Sequence, residues 1–314
     1  MTDDGGSPPD LLDEREDPDA ADVEVRPAEA APGEPRAPEL PPARRIELPG
    51  GIVGLRELAG PPSATAVVLL HGWTATADLN FFRCYRPLGE HHRVLAFDHR
   101  GHGTGLRSRR VFRLEDCADD VVAMADAVGL ERFVAFGYSM GGAIAQLVWR
   151  RHPERVVGMV LTATATHFKS QRDERLNFLG LTGLGAVARY TPAQVRRWLT
   201  DQVYLNRKTD SWEPWAIQEA AGHDWRMVLE AGAAIGRFRS DDWISDVDVP
   251  TSVVVTLKDE VVSVARQLHL YESIPTANAF RVDAGHDAAI GYADRYVPVA
   301  LSAIASTIER ASGR

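Results

Sequence analysis

The chain has 314 residues, 45% of them hydrophobic, a net charge of −9 and 2 cysteines. Its length allows one large domain or two modest ones with a sizeable core, and Cys84 and Cys117, lacking any CxxC spacing, exclude a disulfide framework. Residues 1–45 hold 13 acidic and 5 basic side chains, a balance of −8 that leaves −1 for the remainder, so no basic face for nucleic acid is expected.

The first residues, Met-Thr-Asp-Asp, offer neither a basic n-region nor an apolar h-region, and no secretory signal is expected. No stretch approaches the roughly 20 apolar residues of a membrane-spanning helix. Together with the sparse cysteines, this predicts a cytoplasmic, reduced protein with no integral membrane segment. Residues 1–45 contain 9 of the 19 prolines, many acids and no aromatic residue. Such a segment buries too little apolar area to offset its ordering entropy, and it is read as a disordered tail.

The pattern changes after Arg45. Residues 46–58 read as two strands around a Pro-Gly-Gly turn. Short, β-branched apolar runs follow at Ala66–Leu70, Val94–Phe97, Phe133–Phe136, Val156–Thr162, Ser252–Leu257 and Ala279–Val282. Each is continuous, as a strand buried on both faces should be. Helical stretches at Leu114–Gly129 and Met140–Arg151 lie between them, the second ending before His152-Pro153. The alternation predicts an α/β fold: a mostly parallel central sheet flanked by helices. From His167 to Trp243 no convincing strand occurs. Helical stretches such as Ala193–Leu205 and Trp215–Gly232 dominate, and five of the seven tryptophans (Trp198, Trp212, Trp215, Trp225 and Trp243) fall here. The expected organisation is a core of residues 46–166 and 244–314, with 167–243 as a helical cap.

The chemistry enters at Gly137-Tyr138-Ser139-Met140-Gly141. This G-x-S-x-G sequence follows the run Phe133–Phe136 and opens the helical stretch Gly142-Ala-Ile-Ala-Gln-Leu-Val. A strand–turn–helix setting of this kind exposes a serine hydroxyl on a strained turn, with a helix N-terminus behind it to favour a developing oxyanion.

With this motif the chain resembles the α/β-hydrolase fold superfamily, in its esterase and lipase branch, over residues 46–314. Three further matches carry the resemblance in the expected order. Leu69-Leu70-His71-Gly72-Trp73 resembles the apolar strand ending in His-Gly. Asp98-His99-Arg100-Gly101-His102-Gly103 resembles the D-x-R-G-x-G loop after the next strand, and Ala284-Gly285-His286 resembles the Gly-His that carries the catalytic base. The resemblance implies an oxyanion hole made by the backbone N–H groups of Trp73 and Met140.

A serine hydroxyl needs a base to take its proton. Of the ten histidines, only His286 leaves room for a preceding acid on a late strand, in the superfamily order Ser, acid, His; His71 is read as holding the oxyanion loop. The acid orients the imidazole. Asp259, just after the run Ser252–Leu257, is the candidate and matches the family pattern, with Glu260 as its local rival. Asp283 and Asp287 stand too near His286 in sequence. Thr104-Gly105 stands where many relatives carry a serine, and Ser263 where a proline is common; neither touches the proposed chemistry. A serine at the nucleophile position disfavours epoxide hydrolases and haloalkane dehalogenases.

There is no H-E-x-x-H, clustered Cys/His set, EF-hand loop or phosphate loop, and the expected reaction needs neither metal nor cofactor. The predicted function is hydrolysis of a small-molecule carboxylic ester, a small to medium apolar ester or acyl-lipid, through an acyl-enzyme on Ser139. A C–C bond hydrolase, a cofactor-free peroxidase or an acyltransferase would use the same triad. A non-catalytic ligand-binding protein on this fold is the alternative of another class.

Overall fold

Strand and helix alternate along the chain because the apolar runs are too short for helices and the stretches between them carry helical periodicity. In a computed structural model, which describes residues 38–168 and 213–313, eight strands form one sheet in the order β1-β2-β4-β3-β5-β6-β7-β8. They are β1 (Ala43–Leu48), β2 (Gly51–Leu58), β3 (Ala66–Leu70), β4 (Arg93–Phe97), β5 (Phe133–Tyr138), β6 (Val156–Thr162), β7 (Thr251–Thr256) and β8 (Ala277–Val282). β1 and β2 form an antiparallel hairpin and β2 runs antiparallel to β4, while every later pairing is parallel.

The two faces of the sheet are covered separately. Along β3, Val67 and Leu69 pack into one apolar cluster with Phe81, Tyr85 and Tyr296. Val68 and Leu70, pointing the other way, pack into a second with Val121, Ile144 and Val148. This is the alternation that a strand buried on both faces requires. The first layer comes from α1 (Ala77–Phe81), α2 (Tyr85–Gly89) and the C-terminal helix, the second from α3 (Leu114–Ala127) and α4 (Met140–Arg151). Glu115 and Asp116 lie in the first turn of α3, where the helix dipole favours them.

β1 begins at Ala43, three residues before the expected start. Its first residues carry no apolar signal because they face solvent. The pairing is carried instead by the ladder and by Arg44, whose guanidinium donates to Glu57 at 2.8 and 3.1 Å.

Between β6 and β7 the described residues contain α5 (Glu213–Ala221) and α6 (Trp225–Arg237). The expected helix 193–205, with Trp198 and Trp212, lies outside the described residues, as do residues 1–37. The expected single helix Trp215–Gly232 is two helices. The break falls at residues 222–224, where the Asp224 carboxylate caps α6 by accepting from the Met227 N–H. Gly232 does not end a helix: α6 continues past it to Arg237. An interior glycine costs about 1 kcal/mol relative to alanine. Its tolerance here has a packing cause: a Cβ at Gly232 would lie 2.6 Å from Cζ2 of Trp73.

The segment leaves and rejoins the core at adjacent points. Ser240 N–H donates to Thr166 O at 2.8 Å, and His167 forms an isolated antiparallel bridge with Arg239. After β7 come α7 (Val264–Ser273), and after β8 α8 (Ala288–Gly291) and α9 (Ala293–Ser312). Among the described residues no helix is long and apolar enough to cross a membrane.

Candidate active site

Parallel strands bring the loops at their C-terminal ends to one edge of the sheet, where α/β proteins place their ligands. The loops after β3, β5, β7 and β8 carry Trp73, Ser139, Asp259 and His286 respectively.

Ser139 is the turn residue between β5 and α4, with φ 54° and ψ −114°. This backbone region costs a non-glycine residue on the order of 1–3 kcal/mol and persists only where the surroundings fix it. Its N–H donates to Thr162 O at 2.9 Å, and its carbonyl accepts from Gly142 N at 2.9 Å and from the Thr164 hydroxyl at 2.8 Å. The turn is tight enough to forbid side chains around it. A Cβ at Gly137 would meet Gly141 O at 2.3 Å, and one at Gly141 would meet Leu70 O at 1.9 Å. Gly142, which the motif does not include, is equally constrained, since a Cβ there would meet Thr164 Cγ2 at 2.4 Å.

His286 joins the serine to the acid. Its Nε2 lies 3.0 Å from Ser139 Oγ and its Nδ1 lies 2.9 Å from Asp259 Oδ2. With Nδ1–H donating to the carboxylate, Nε2 presents its lone pair to the serine hydroxyl. The Asp259 side chain is fully screened from solvent. Its Oδ1 accepts from the N–H groups of Val261 (2.9 Å) and Val262 (2.8 Å). Its Oδ2 also accepts from the Thr256 hydroxyl (2.7 Å) and from Gln267 Nε2 (3.2 Å). Burial pushes this carboxyl group's pKa upward, but His286 and the donors around it outweigh burial and hold it below the usual aspartate value.

The rival acids are elsewhere. Glu260 is exposed. Asp283 is exposed and paired with Lys258 at 2.9 Å, and Asp287 is exposed at the start of α8. Thr256, Gln267 and Tyr138 were not singled out by the sequence. Tyr138 donates its hydroxyl to the His286 carbonyl at 2.7 Å and so fixes the loop that carries His286. Gln267 is a fully buried amide on the helix Val264–Ser273, and no local sequence pattern marks it.

On the opposite side of the serine lies the loop after β3. A Cβ on Gly72 would sit 3.5 Å from Ser139 Cβ, so this backbone passes directly beside Ser139. Gly72 N–H is taken by Asn80 Oδ1 at 2.8 Å. Among the described residues, the next N–H, that of Trp73, has no hydrogen-bond acceptor, nor has that of Met140, the first residue of α4. His71 braces the loop as expected. Its Nδ1–H donates to Gly72 O at 2.8 Å and its Nε2 accepts from the His99 N–H at 2.8 Å.

Three further rings pack around it. Ring centroids of His71 and His99 are 4.4 Å apart, those of His71 and His102 5.2 Å, and those of His102 and His223 5.3 Å. All four are buried. Burial lowers the pKa of His71 and of His223 to about 4, and holds His99 and His102 well below the usual histidine value. The Asp98 carboxylate beside them is occupied by Ala77 N–H, Thr104 N–H and the Thr104 hydroxyl. The D-x-R-G-x-G loop therefore serves here as a brace. Its Arg100 pairs bidentately with Asp120 at 2.7 Å.

Comparison with known proteins identifies the family. The sequence profile of the alpha/beta hydrolase fold family matches residues 65–291. A protein of Agrobacterium fabrum, named provisionally as the carbamate hydrolase RutD, is 27% identical over 205 residues, 63% of this chain and 77% of that protein. The poly(3-hydroxyalkanoate) depolymerase of Ectopseudomonas oleovorans is 25% identical over 272 residues, 85% of this chain and 94% of the relative. Among solved structures, a thermophilic esterase from Thermogutta terrifontis superposes with a TM-score of 0.70 at 19% identity, covering 85% of this chain and 99% of that one. With its profile matched over most of its length and its eight-stranded sheet in place, the chain belongs to the alpha/beta hydrolase fold family.

Proposed function

We propose that this hydrolase cleaves carboxylic esters through an acyl-enzyme on Ser139. One observation carries the reading: His286 lies 3.0 Å from Ser139 Oγ through one ring nitrogen and 2.9 Å from the buried Asp259 carboxylate through the other. Ser139 Oγ attacks the ester carbonyl while His286 Nε2 takes its proton. The carbonyl π-electrons move to oxygen, where the N–H groups of Trp73 and Met140 stabilise the charge. Collapse of the tetrahedral species expels the alcohol, which receives the proton from His286. A water molecule, deprotonated by the same nitrogen, then releases the acid. Asp259 holds the imidazole in the required tautomer and stabilises the imidazolium.

The substrate class is a small to medium apolar ester or acyl-lipid. The name of one relative compared above, a poly(3-hydroxyalkanoate) depolymerase, supports the choice of ester, while that of the other, a carbamate hydrolase, marks the competing acyl class. We take α5 and α6 as part of a cap over the site; residues 169–212 of the expected cap lie outside the described residues. The two buried free thiols, Cys84 and Cys117, suit a cytoplasmic, reducing setting.

Labelling with a fluorophosphonate probe, followed by a p-nitrophenyl ester chain-length series, tests the reading. Wild-type protein takes the label and turns over esters, and Ser139→Ala abolishes labelling and lowers kcat by on the order of 10⁴ or more. Full esterase activity in Ser139→Ala, or an unlabelled wild type, would sink it. Labelling without turnover of any ester would point to carbon–carbon cleavage or acyl transfer by the same triad.

A further inference from the structure

The oxyanion loop is gripped from outside the core. Trp73, whose backbone N–H has no acceptor among the described residues, turns its indole toward α6 and donates from Nε1 to the Val228 carbonyl at 2.7 Å. Val228 and Gly232 stand one turn apart on the same face of that helix. The indole runs along this face, so that a Cβ at Gly232 would meet Cζ2 at 2.6 Å, Cε2 at 3.1 Å and Cη2 at 3.1 Å. A helix carbonyl has a second lone pair, and Val228 O can accept the indole without giving up its helical bond.

A second contact acts one residue further along. Thr74, with φ 61°, has its carbonyl 3.3 Å from His223 Nε2, and His223 Nδ1 accepts the Gly103 N–H at 3.0 Å. The two bonds fix the tautomer: Nε2 carries the proton and donates to Thr74 O.

The helix is itself anchored to the loop after β4. Asp224 N–H donates to Gly101 O at 2.8 Å, Arg107 donates to Gly222 O at 2.6 Å, and Phe112 N–H donates to Glu230 Oε2 at 2.9 Å. Gly101 leaves room for Met227, whose Cβ would be 2.4 Å from an added one. The chain of contacts thus runs from a fixed core loop, through α6 and the residues before it, to Trp73 and Thr74, on the far side of the peptide that carries the Trp73 N–H.

We infer that α6 sets the oxyanion geometry, with the Trp73 indole, seated on Val228 O and Gly232, as the positioning group. The inference rests on the ester-hydrolase reading above and adds to it a second role for the residue that supplies the N–H. Core hydrogen bonds hold the near side of this loop: Asn80 takes the Gly72 N–H, and His71 Nδ1–H donates to Gly72 O, the carbonyl of the same peptide that carries the Trp73 N–H. That peptide is fixed on its far side by the two contacts from residues 223 and 228. Preorganised donors contribute to rate only when they point at the oxygen of the transition state.

Two variants of different chemistry test this. Trp73→Phe keeps an aromatic ring and the backbone N–H but removes the indole donor. Gly232→Ala keeps the indole and displaces it. For each, kcat and KM on a p-nitrophenyl ester are measured, together with Tm and the Ki of a matched aryl trifluoromethyl ketone. That inhibitor adds Ser139 Oγ to its carbonyl carbon, the proton passing to His286 Nε2 and the π-electrons to the oxygen, giving a hemiketal whose O⁻ occupies the oxyanion position. We expect each variant to lower kcat about tenfold, to raise the ketone Ki by a similar factor and to leave KM within about twofold. The double variant should lose no more than about the larger single loss, since both act on one contact.

A loss confined to KM, or a fall in kcat with unchanged ketone affinity, overturns the inference whatever the Tm. So does wild-type behaviour in both variants. Failure of the ester-hydrolase reading is distinguishable, because then the wild type itself turns over no ester, whether or not it takes the fluorophosphonate, and the inference falls with it.

Discussion

The two flanks of Ser139 are built on opposite electrostatic plans. On the His286 side, a buried carboxylate keeps its charge because five donors surround it. On the Trp73 side, four packed imidazoles must stay neutral, and both ring nitrogens of His99 and Nε2 of His102 have no hydrogen-bond partner among the described residues. The first flank is held by satisfied polar bonds and the second by burial. The difference teaches where each is vulnerable: one to loss of a partner, the other to gain of a proton.

The sharpest way to break the comparison is to remove the charge from the first flank alone. Asp259→Asn should lower kcat by on the order of 10³–10⁴, because the amide can donate to Nδ1 and so turn the imidazole to the wrong tautomer. Glu260→Gln, at the exposed neighbour, should leave kcat within twofold. Steady-state kinetics on both variants decides between the two acids, and equal losses would refute the assignment.

Acid addresses the second flank. Unfolded, these rings take a proton as pH falls through about 6.5, whereas folded His71 and His223 do so only at about 4. Between those values the unfolded chain binds more protons than the folded one, so stability falls as pH is lowered and is complete only above about 6.5. By pH 5 the loss is roughly 2 kcal/mol for each of the two rings. Asp259, held below the usual aspartate value, contributes stability above its unfolded pKa that is lost only as pH falls through its lower folded value. Urea unfolding at pH 7, 6 and 5 should therefore show a decline that begins above the carboxylate range. A flat profile down to pH 5 would contradict the neutral-cluster description.

The smallest effect expected is that of Tyr138→Phe, which removes the donor to the His286 carbonyl. A stability loss of about 1 kcal/mol is expected, with kcat down a few-fold and the fluorophosphonate labelling rate down in proportion. Unchanged kinetics would mean that the loop after β8 is held by its remaining bonds, such as Lys258 N–H to Ala284 O.

Ser139, His286 and Asp259 were readable from sequence because each sits beside a strand that announces itself, and because their order along the chain is constrained. Glu260 could not be set aside there: which of two adjacent carboxylates turns inward is decided by Val261 and Val262 N–H groups and by Gln267, partners that no local pattern specifies. Gly232 shows the limit more clearly. A glycine late in a helical stretch reads as a terminus, yet α6 runs through it because an indole distant in sequence takes the place of its side chain. The start of β1 was missed for the converse reason, since Ala43–Arg45 pair through backbone and charge without an apolar residue to mark them.

The clasp at Thr166–Ser240 and His167–Arg239 has an evolutionary consequence. Where a segment's two ends are already hydrogen-bonded to each other, the core sees only a closed loop, whatever its length, and the entropy of closing that loop grows only slowly with residues added. Segments of different size and composition can then be exchanged at this joint without re-registering β6 against β7. The exchange carries one condition: an incoming segment has to present a carbonyl and a bare helix face to the indole of Trp73.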